Sequence, residues 1–293
     1  MKISPGIDSS PNALNDMQTI AVLMTVHNRA KATIACLKNL HAQLPIKGYE
    51  TDIFMTDDGC TDGTAKAVAK DFQEVRVIPG SGNLYWNKGM LTAWKFARAA
   101  KDYDFYLWLN DDTILNSEAL NTLLACSQTY QNKNIIVGTT SATNNETIIT
   151  YGGRKKKNNL LLPDNSPQEC DFFNGNIVLI PRHVFNLTGM NDSRFKHALG
   201  DFDYGLRAKK RGIKLIVAPG ILGKCNLHES LPVWCNPEKS FRQRWKVFRT
   251  PLGHNPEEFF IYENRHHGLL SACFHYFTNH LRVIFPKLWN GRM

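Results

Sequence analysis

No stretch of the 293-residue chain holds the roughly 18–20 consecutive apolar residues that a membrane-spanning helix requires. The start, MKISPGIDSSPNALND, lacks the apolar core of a secretory signal. Together these absences lead to the expectation of a cytoplasmic protein. The seven cysteines (36, 60, 126, 170, 225, 235 and 273) include no C-x-x-C pair, which argues against a disulfide framework or a zinc knuckle and leaves reduced, partly buried thiols. Repeats and low-complexity tracts are also missing. At 43% apolar, 21% charged and 11% aromatic, the composition suits one large core or two modest ones and excludes a disordered tail or a collagen-like chain.

Negative charge is in short supply. Thirty-five Lys and Arg against 26 Asp and Glu leave a formal charge of +9, which implies an anionic partner such as a nucleotide, a nucleic acid or an acidic membrane surface. The excess is uneven: from Lys239 to Met293 nine basic residues face three Glu (257, 258, 263), so +6 of the +9 lies in the last 55 residues.

Residues 1–17 are rich in Ser, Pro, Asn and Asp without a period and are expected to form a flexible arm. A rhythm follows. IAVLMTV (20–26), TDIFMT (51–56), VRVI (75–78) and DFYLWLN (104–110) are expected strands. Segments 29–43, 61–72, 84–100 and 117–130 carry apolar residues at helical spacing, with Ser117 as a cap for the last. This alternation predicts an α/β protein with a doubly wound, mostly parallel sheet. Beyond Ile135 the pattern loosens: IIVGTT, TIITYGG and NIVLIP look like strands around the loop RKKKNNLLLPDNSPQEC, and DFDYGLRAKKRG (201–212) predicts a short helix leading into the strand IKLIVA.

In an open α/β sheet the ligand crevice lies at the C-terminal ends of the strands. Here those ends are Thr25-Val26-His27-Asn28-Arg29, Asp57-Asp58-Gly59 and Asn110-Asp111-Asp112-Thr113. One Asp-Asp after a strand is most simply a turn or a helix cap. Two such pairs on one rim of a basic protein repel each other unless a cation or hydrogen-bond donors sit between them, and a hard divalent ion bridging phosphate oxygens suits such a place.

Five segments, in order over about residues 20–270, resemble the inverting family 2 glycosyltransferases of GT-A fold, in particular bacterial rhamnosyltransferase-like members that build surface polysaccharides. TVHNR looks like the first-strand nucleotide segment, and DDGCTDGT is similar to the DD-x-S-x-D-x-T stretch. GNLYWNKGM resembles G-N-x-x-W-x-x-G, LNDDT the metal-binding DxD-type motif, and GDFDYGLRAKKRG the helix that carries the catalytic base. The resemblance implies a GT-A catalytic domain over 18–228, with a smaller mixed acceptor-side part and a basic, amphipathic helical extension over 229–293. It implies nucleotide contacts from Thr25, His27, Asn28, Asp57, Asp58 and Asn83. It also implies Mg2+ or Mn2+ held by Asp112 with Asp111 and His228, and Asp201 as the base that deprotonates the acceptor hydroxyl. Two departures stand out: Asn110 replaces the first Asp of a strict DxD, and Gly200 replaces the usual Glu before the base.

The chemistry accounts for these residue types. Expelling a nucleoside diphosphate builds negative charge on phosphate, which a metal neutralises, and a single carboxylate on the opposite face gives direct attack with inversion. On the acceptor or sugar side the candidates are Trp86, which can stack on a sugar face, Asn174 in N-G-N, and Asp203 with Arg207. The last two, at i and i+4, are also a helix-surface ion pair. The run Arg154–Lys157 is expected to be solvated.

The C-terminal segments FRQRWKVFR and GLLSACFHYFTNHLRVIF repeat aromatic stripes at helical spacing among basic residues. Such helices either pack on the catalytic domain or lie in a membrane interface, and interleaved Lys and Arg favour peripheral attachment to the inner face of the membrane. The expected partners are therefore a nucleotide-sugar donor, a glycan or lipid-linked glycan acceptor and an anionic membrane surface, with no nucleic acid and an oligomer left open. A sugar-nucleotide nucleotidyltransferase would need a glycine-rich loop after the first strand, and TVHNRAKA has no glycine. A nucleic-acid binder leaves the acidic rim unexplained, and a glycan-binding pseudoenzyme stays an alternative, although both Asp112 and Asp201 are present.

Overall fold

The structure, a computed structural model, describes residues 17–156, 159–227 and 232–289, so the expected arm lies outside it except for Met17. In the first half the chain alternates as its periodicity predicts: β1 (Gln18–Val26), α1 (Ala30–His41), β2 (Tyr49–Asp57), α2 (Thr64–Asp71), β3 (Val75–Pro79), α3 (Tyr85–Ala100), β4 (Phe105–Leu109), β5 (Ile114–Leu115) and α4 (Ala119–Thr129). Short strands follow: β6 (Ile135–Val137), β7 (Thr140–Ser141), β8 (Ile149–Tyr151), β9 (Gly153–Lys155), β10 (Asn159–Leu160), β11 (Gln168–Glu169) and β12 (Phe172–Phe173). The chain then forms β13 (Ile177–Pro181), α5 (Arg182–Thr188), α6 (Gly200–Lys209), β14 (Leu215–Val217) and β15 (Gly223–Lys224), and ends in α7 (Phe241–Phe248), α8 (Pro256–His267) and α9 (Leu269–Ile284).

The central sheet has the order β11-β14-β6-β13-β4-β1-β2-β3. Strands β1 to β4 run parallel to their neighbours among themselves, β13 is antiparallel to both β4 and β6, and β14 is parallel to β6. The continuous apolar run of β1 is explained by burial on both faces. Ile20, Val22, Met24 and Val26 enter the layer under α1 and α4 with Leu37, Leu40 and Leu123, while Ala21 and Leu23 enter the opposite layer with Trp94, Tyr106, Trp108 and Tyr204.

Two expectations need correction. Ser117 does not cap α4: Glu118 is the N-cap and makes no side-chain cap bond, and the first-turn N–H of Leu120 is taken instead by Gln43 Oε1 at 3.1 Å. The stretch expected as a loop from Arg154 contains β9, β10 and β11, since its backbone pairs with β12 and β14. Within the expected helical extension, α8 carries its own local signals. Asn255 accepts bonds from the backbone N–H of Glu257 and Glu258, Pro256 stands at the first position, two Glu occupy the first turn and Arg265, His266 and His267 the last. This helix packs through Tyr262 and Phe259 on Phe195, Leu199, Phe202 and Leu206, against the segment that leads into α6.

Candidate functional site

Parallel strands β1, β2 and β4 end on the same edge, where the Asp57–Asp58 and Asp111–Asp112 pairs meet the His27-Asn28-Arg29 end of β1. Glycine makes the approach of β2 to the loop before α3 possible. A Cβ at Gly59 would lie 2.8 Å from the Cα of Gly82, and one at Gly80 would lie 2.9 Å from the Cα of Asp58. Asp58 locks the contact: buried, it accepts the backbone N–H of Gly82 (2.7 Å), Leu84 (2.8 Å) and Tyr85 (2.9 Å), which places its charge at the N-terminus of α3. Its carbonyl oxygen lies 2.6 Å from His27 Nδ1, and Asn28 Nδ2 lies 3.3 Å from His27 Nε2. Those partners select the tautomer with the proton on Nδ1.

His27, Asn28 and Asn83 are exposed on this rim. Asp57 beside them accepts the N–H of Cys60 at 2.8 Å, and Asn28 accepts the N–H of Thr61 at 2.7 Å. Thr25 is different. Only 9% exposed, it sits beneath α3, where a Cβ on Gly89 would come within 2.1 Å of its Oγ1. Thr25 therefore serves the packing of α3 on β1, and the open rim begins at His27.

At the end of β4 the backbone N–H of Asn110 bonds Asn176 O at 3.0 Å, and Asp111 and Asp112 follow. Burial, reinforced by the Asp112 charge and opposed by Arg29, pushes the Asp111 carboxyl up to about 7. Its Oδ2 is buried and has no hydrogen-bond partner among the described residues. Asp112 is more open; Cys225 Sγ lies 3.5 Å from its Oδ1. Arg29 bridges the pair, with Nη1 2.5 Å from Asp112 Oδ2 and 3.5 Å from Asp111 Oδ1. Two adjacent carboxylates, one with an unpartnered buried oxygen, form a hard oxygen donor set that fits Mg2+ or Mn2+ with phosphate and water completing the shell. No group of three or more His, Cys, Asp or Glu with metal-site geometry occurs among the described residues, and His228 lies outside them.

Trp86 connects this corner to the base candidate. Its Nε1 donates to Asn110 Oδ1 at 2.7 Å, its ring stands edge-on to Trp108, and its far edge fills the space a side chain at Gly175 would need, 2.5 Å from an ideal Cβ. On the other side of Gly175 is Asp201, in the first turn of α6. Its Oδ2 accepts the N–H of Gly175 (2.9 Å) and its Oδ1 that of Phe202 (2.8 Å). Burial raises the Asp201 carboxyl to about 6, against the pull of those two N–H groups and of Arg154. Arg154, expected to be merely solvated, is half-buried here, and its Nε donates to Asn174 Oδ1 at 2.8 Å. Asn174 is thus linked to the surroundings of Asp201 through Arg154.

The replacement of Glu by Gly200 has a steric cause. A Cβ there would stand 2.1 Å from Oδ1 of Asn87, which is fully buried and donates to the carbonyls of Asp192 and Phe195 while accepting from Asn191. Asn87 occupies the room a side chain would take.

Asp203 and Arg207 do not face the cleft, which corrects the expectation of an acceptor contact and of a surface ion pair. The Asp203 carboxylate is fully buried. It is held by Arg207 Nε (2.8 Å), Arg265 Nη1 (2.5 Å) and His266 Nε2 (2.9 Å), and Arg207 also bonds the carbonyls of Thr188 and Met190. Arg265 reaches on to Asp192 at 2.6 Å. Two residues of α8 thus brace the back of the helix whose front carries Asp201. Sequence reasoning missed Arg265 and His266 because nothing within α8 marks them. Arg29 stands in the TVHNR segment, and its proximity to two carboxylates appears only in three dimensions.

The family model described as "Glycosyl transferase family 2" matches residues 21–187, more than half of the chain. Among solved structures, the chain is similar to TarS of S. aureus at 14% identity, covering 85% of this chain and 43% of that one with a TM-score of 0.55. It is also similar to TarS 1–349 in complex with UDP at 15% identity, with 85% and 72% coverage and a TM-score of 0.52. A third similarity is to a mannosyltransferase, PcManGT of Pyrobaculum calidifontis, in complex with GDP-Man and Mn2+, at 13% identity, with 93% and 87% coverage and a TM-score of 0.54. The chain spans less than half the length of the longer TarS structure. No curated protein sequence matches it. At these identities the structural likeness establishes the fold.

Proposed function

The chain belongs to glycosyl transferase family 2, and from that premise we propose a metal-dependent, inverting transferase. It moves one sugar from a nucleoside-diphosphate donor to a hydroxyl of a growing bacterial surface glycan, carried on a polyprenyl diphosphate at the inner membrane face. One observation carries the reading: Asn110, Trp86 and Gly175 link the Asp111–Asp112 corner to Asp201, so an electrophile-side acidic pair and a partly buried carboxylate share one cleft. The neighbours solved with UDP and with GDP-Man and Mn2+ support a nucleotide donor and a divalent ion.

In this mechanism the exposed rim of His27, Asn28, Asp57 and Asn83 receives the nucleoside, with Asp58 holding the loop that presents Asn83. Asp112 and Asp111 would hold Mg2+ or Mn2+. When bound, the ion offsets the charge that develops on the leaving diphosphate. Arg29, which pairs with both carboxylates here, turns its guanidinium to the diphosphate and adds donors suited to phosphate. Trp86 forms the wall between donor and acceptor sides. Asp201, ionised above about pH 6, takes the proton of the acceptor hydroxyl as that oxygen attacks the anomeric carbon from the face opposite the leaving group. A hexosyl or deoxyhexosyl donor fits the subgroup resemblance.

A screen of UDP-, dTDP- and GDP-sugars for thermal stabilisation, with and without Mn2+, tests the reading. Stabilisation by one nucleotide class that depends on the ion is the expected result. Absence of any nucleotide effect would refute it.

A further inference from the structure

The large apolar side chains of α9 turn away from the protein. The buried positions of this helix are Ala272 and Val283, whereas Leu270 is 88% exposed, Phe274 and Phe277 63% each, and Ile284 42%. At 3.6 residues per turn those four fall within an arc of roughly 80°, so the amphipathic pattern is inverted relative to a helix that covers a core. Phe241 and Trp245 of α7, 50% and 38% exposed, continue the surface, with the Trp245 ring 5.8 Å from that of His280 on α9. Contiguous exposed apolar surface of this kind marks a contact site.

Charge identifies the occupant. Arg242, Lys246 and Lys287 are exposed around the stripe. The three acids of the C-terminal helices are all engaged: Glu257 pairs with Arg249, Glu258 accepts the N–H of Lys196, and Glu263 pairs with His275. A second copy packed on the same stripe would bring the exposed cations at its rim, Arg242, Lys246 and Lys287, toward those of its partner. No helix among the described residues is long and apolar enough to cross a membrane. An apolar stripe edged by unneutralised cations is complementary to headgroups that are negative above acyl chains.

We propose that the outer face of α9, extended by Phe241 and Trp245 of α7, is a docking surface for an anionic lipid bilayer, with α9 lying in the plane of the interface. Arg244 takes no part: it is buried and donates to the carbonyls of Val283, Ile284 and Lys239, tying α7 to α9. The proposal goes beyond the transfer reaction, because none of these residues lies in the cleft, and vesicle binding is measurable whatever the donor screen returns.

The test is co-sedimentation of the full chain with phosphatidylglycerol-containing vesicles and with phosphatidylcholine vesicles, at low and high salt, alongside light scattering for oligomeric state. Wild type should bind the anionic vesicles, bind less as salt rises, and pass over the zwitterionic ones. Phe274→Ser with Phe277→Ser should abolish binding at an unchanged melting temperature, since both side chains are exposed. Arg242→Gln with Lys246→Gln should weaken it roughly 10–30-fold. No sedimentation of the wild type, or binding indifferent to lipid charge, would overturn the proposal. So would a wild-type dimer that the Phe274/Phe277 variant converts to monomer, which would assign the stripe to a second copy.

Discussion

Replacing Asp201 by Asn should make the protein more stable and less active at once. Burial raises the Asp201 carboxyl to about 6 in the folded chain, against about 3.9 for an exposed Asp. Each unit corresponds to about 1.4 kcal/mol, so the ionised carboxylate costs the native state roughly 3 kcal/mol at neutral pH. The sign follows from proton binding. Below about pH 4 the group is protonated in both states and costs nothing; between about 4 and 6 the unfolded chain releases its proton first and native stability falls; above 6 the cost is constant.

Asn carries no charge to desolvate. It can still accept one of the two N–H groups now bonded by Asp201, from Gly175 and Phe202, but turns its NH2 toward the other, at a cost of about 1 kcal/mol. The net expectation is a gain of about 2 kcal/mol at pH 8, or roughly 4–8 °C in melting temperature, with no gain or a slight loss at pH 4. Urea unfolding at the two pH values measures it. A variant that is destabilised at pH 8, or a difference that does not change with pH, would refute the burial argument. Turnover should drop by roughly 10²–10⁴ while donor binding stays within a few fold, and a stabilised variant of full activity would move the base elsewhere.

The remaining expectations concern other parts of the site. Wild-type transfer should rise with pH through about 6 and then level off, as the Asp201 carboxyl ionises; a rate that falls over that range contradicts a carboxylate base. Asp112→Ala should abolish the Mn2+-dependent component of UDP or dTDP binding in calorimetry, whereas Arg29→Ala, which removes the cation that pairs with Asp111 and Asp112, should tighten Mn2+ binding without nucleotide and weaken nucleotide binding. Gly200→Ala should cost roughly 1–3 kcal/mol in chemical denaturation, because the new Cβ meets the buried, fully bonded Asn87 side chain. Arg265→Met removes one of the cations on buried Asp203 and should cost roughly 3–5 kcal/mol; if Asp203 with Arg207 alone suffices, the loss will stay under about 1 kcal/mol.

The sheet and the acidic rim were legible in the sequence because both rest on short-range rules. Burial on two faces makes β1 apolar from Ile20 to Met24, helices α1 to α4 announce themselves by spacing, and α/β topology alone carries the ends of β1, β2 and β4 to one edge. The Asp57–Asp58 and Asp111–Asp112 pairs could be named for that reason, although not their division of labour. Asp58 turned out to be spent on three backbone N–H groups of the α3 loop, and Asp111 to be buried beside Arg29.

Tertiary packing decided the rest, because it depends on which distant segments occupy the same volume. Asn87 and Gly200 are 113 positions apart, yet the side chain of one fills the space denied to the other. Asp203 and Arg207 have the spacing of a surface pair in any helix, and only the arrival of α8 with Arg265 and His266 buries them. The aromatic stripe of α9 has a helical period that is the same whether it faces a core or solvent. Its outward direction shows in which positions are buried: Ala272 and Val283 face inward, Val283 against Trp234, Cys235 and Phe248.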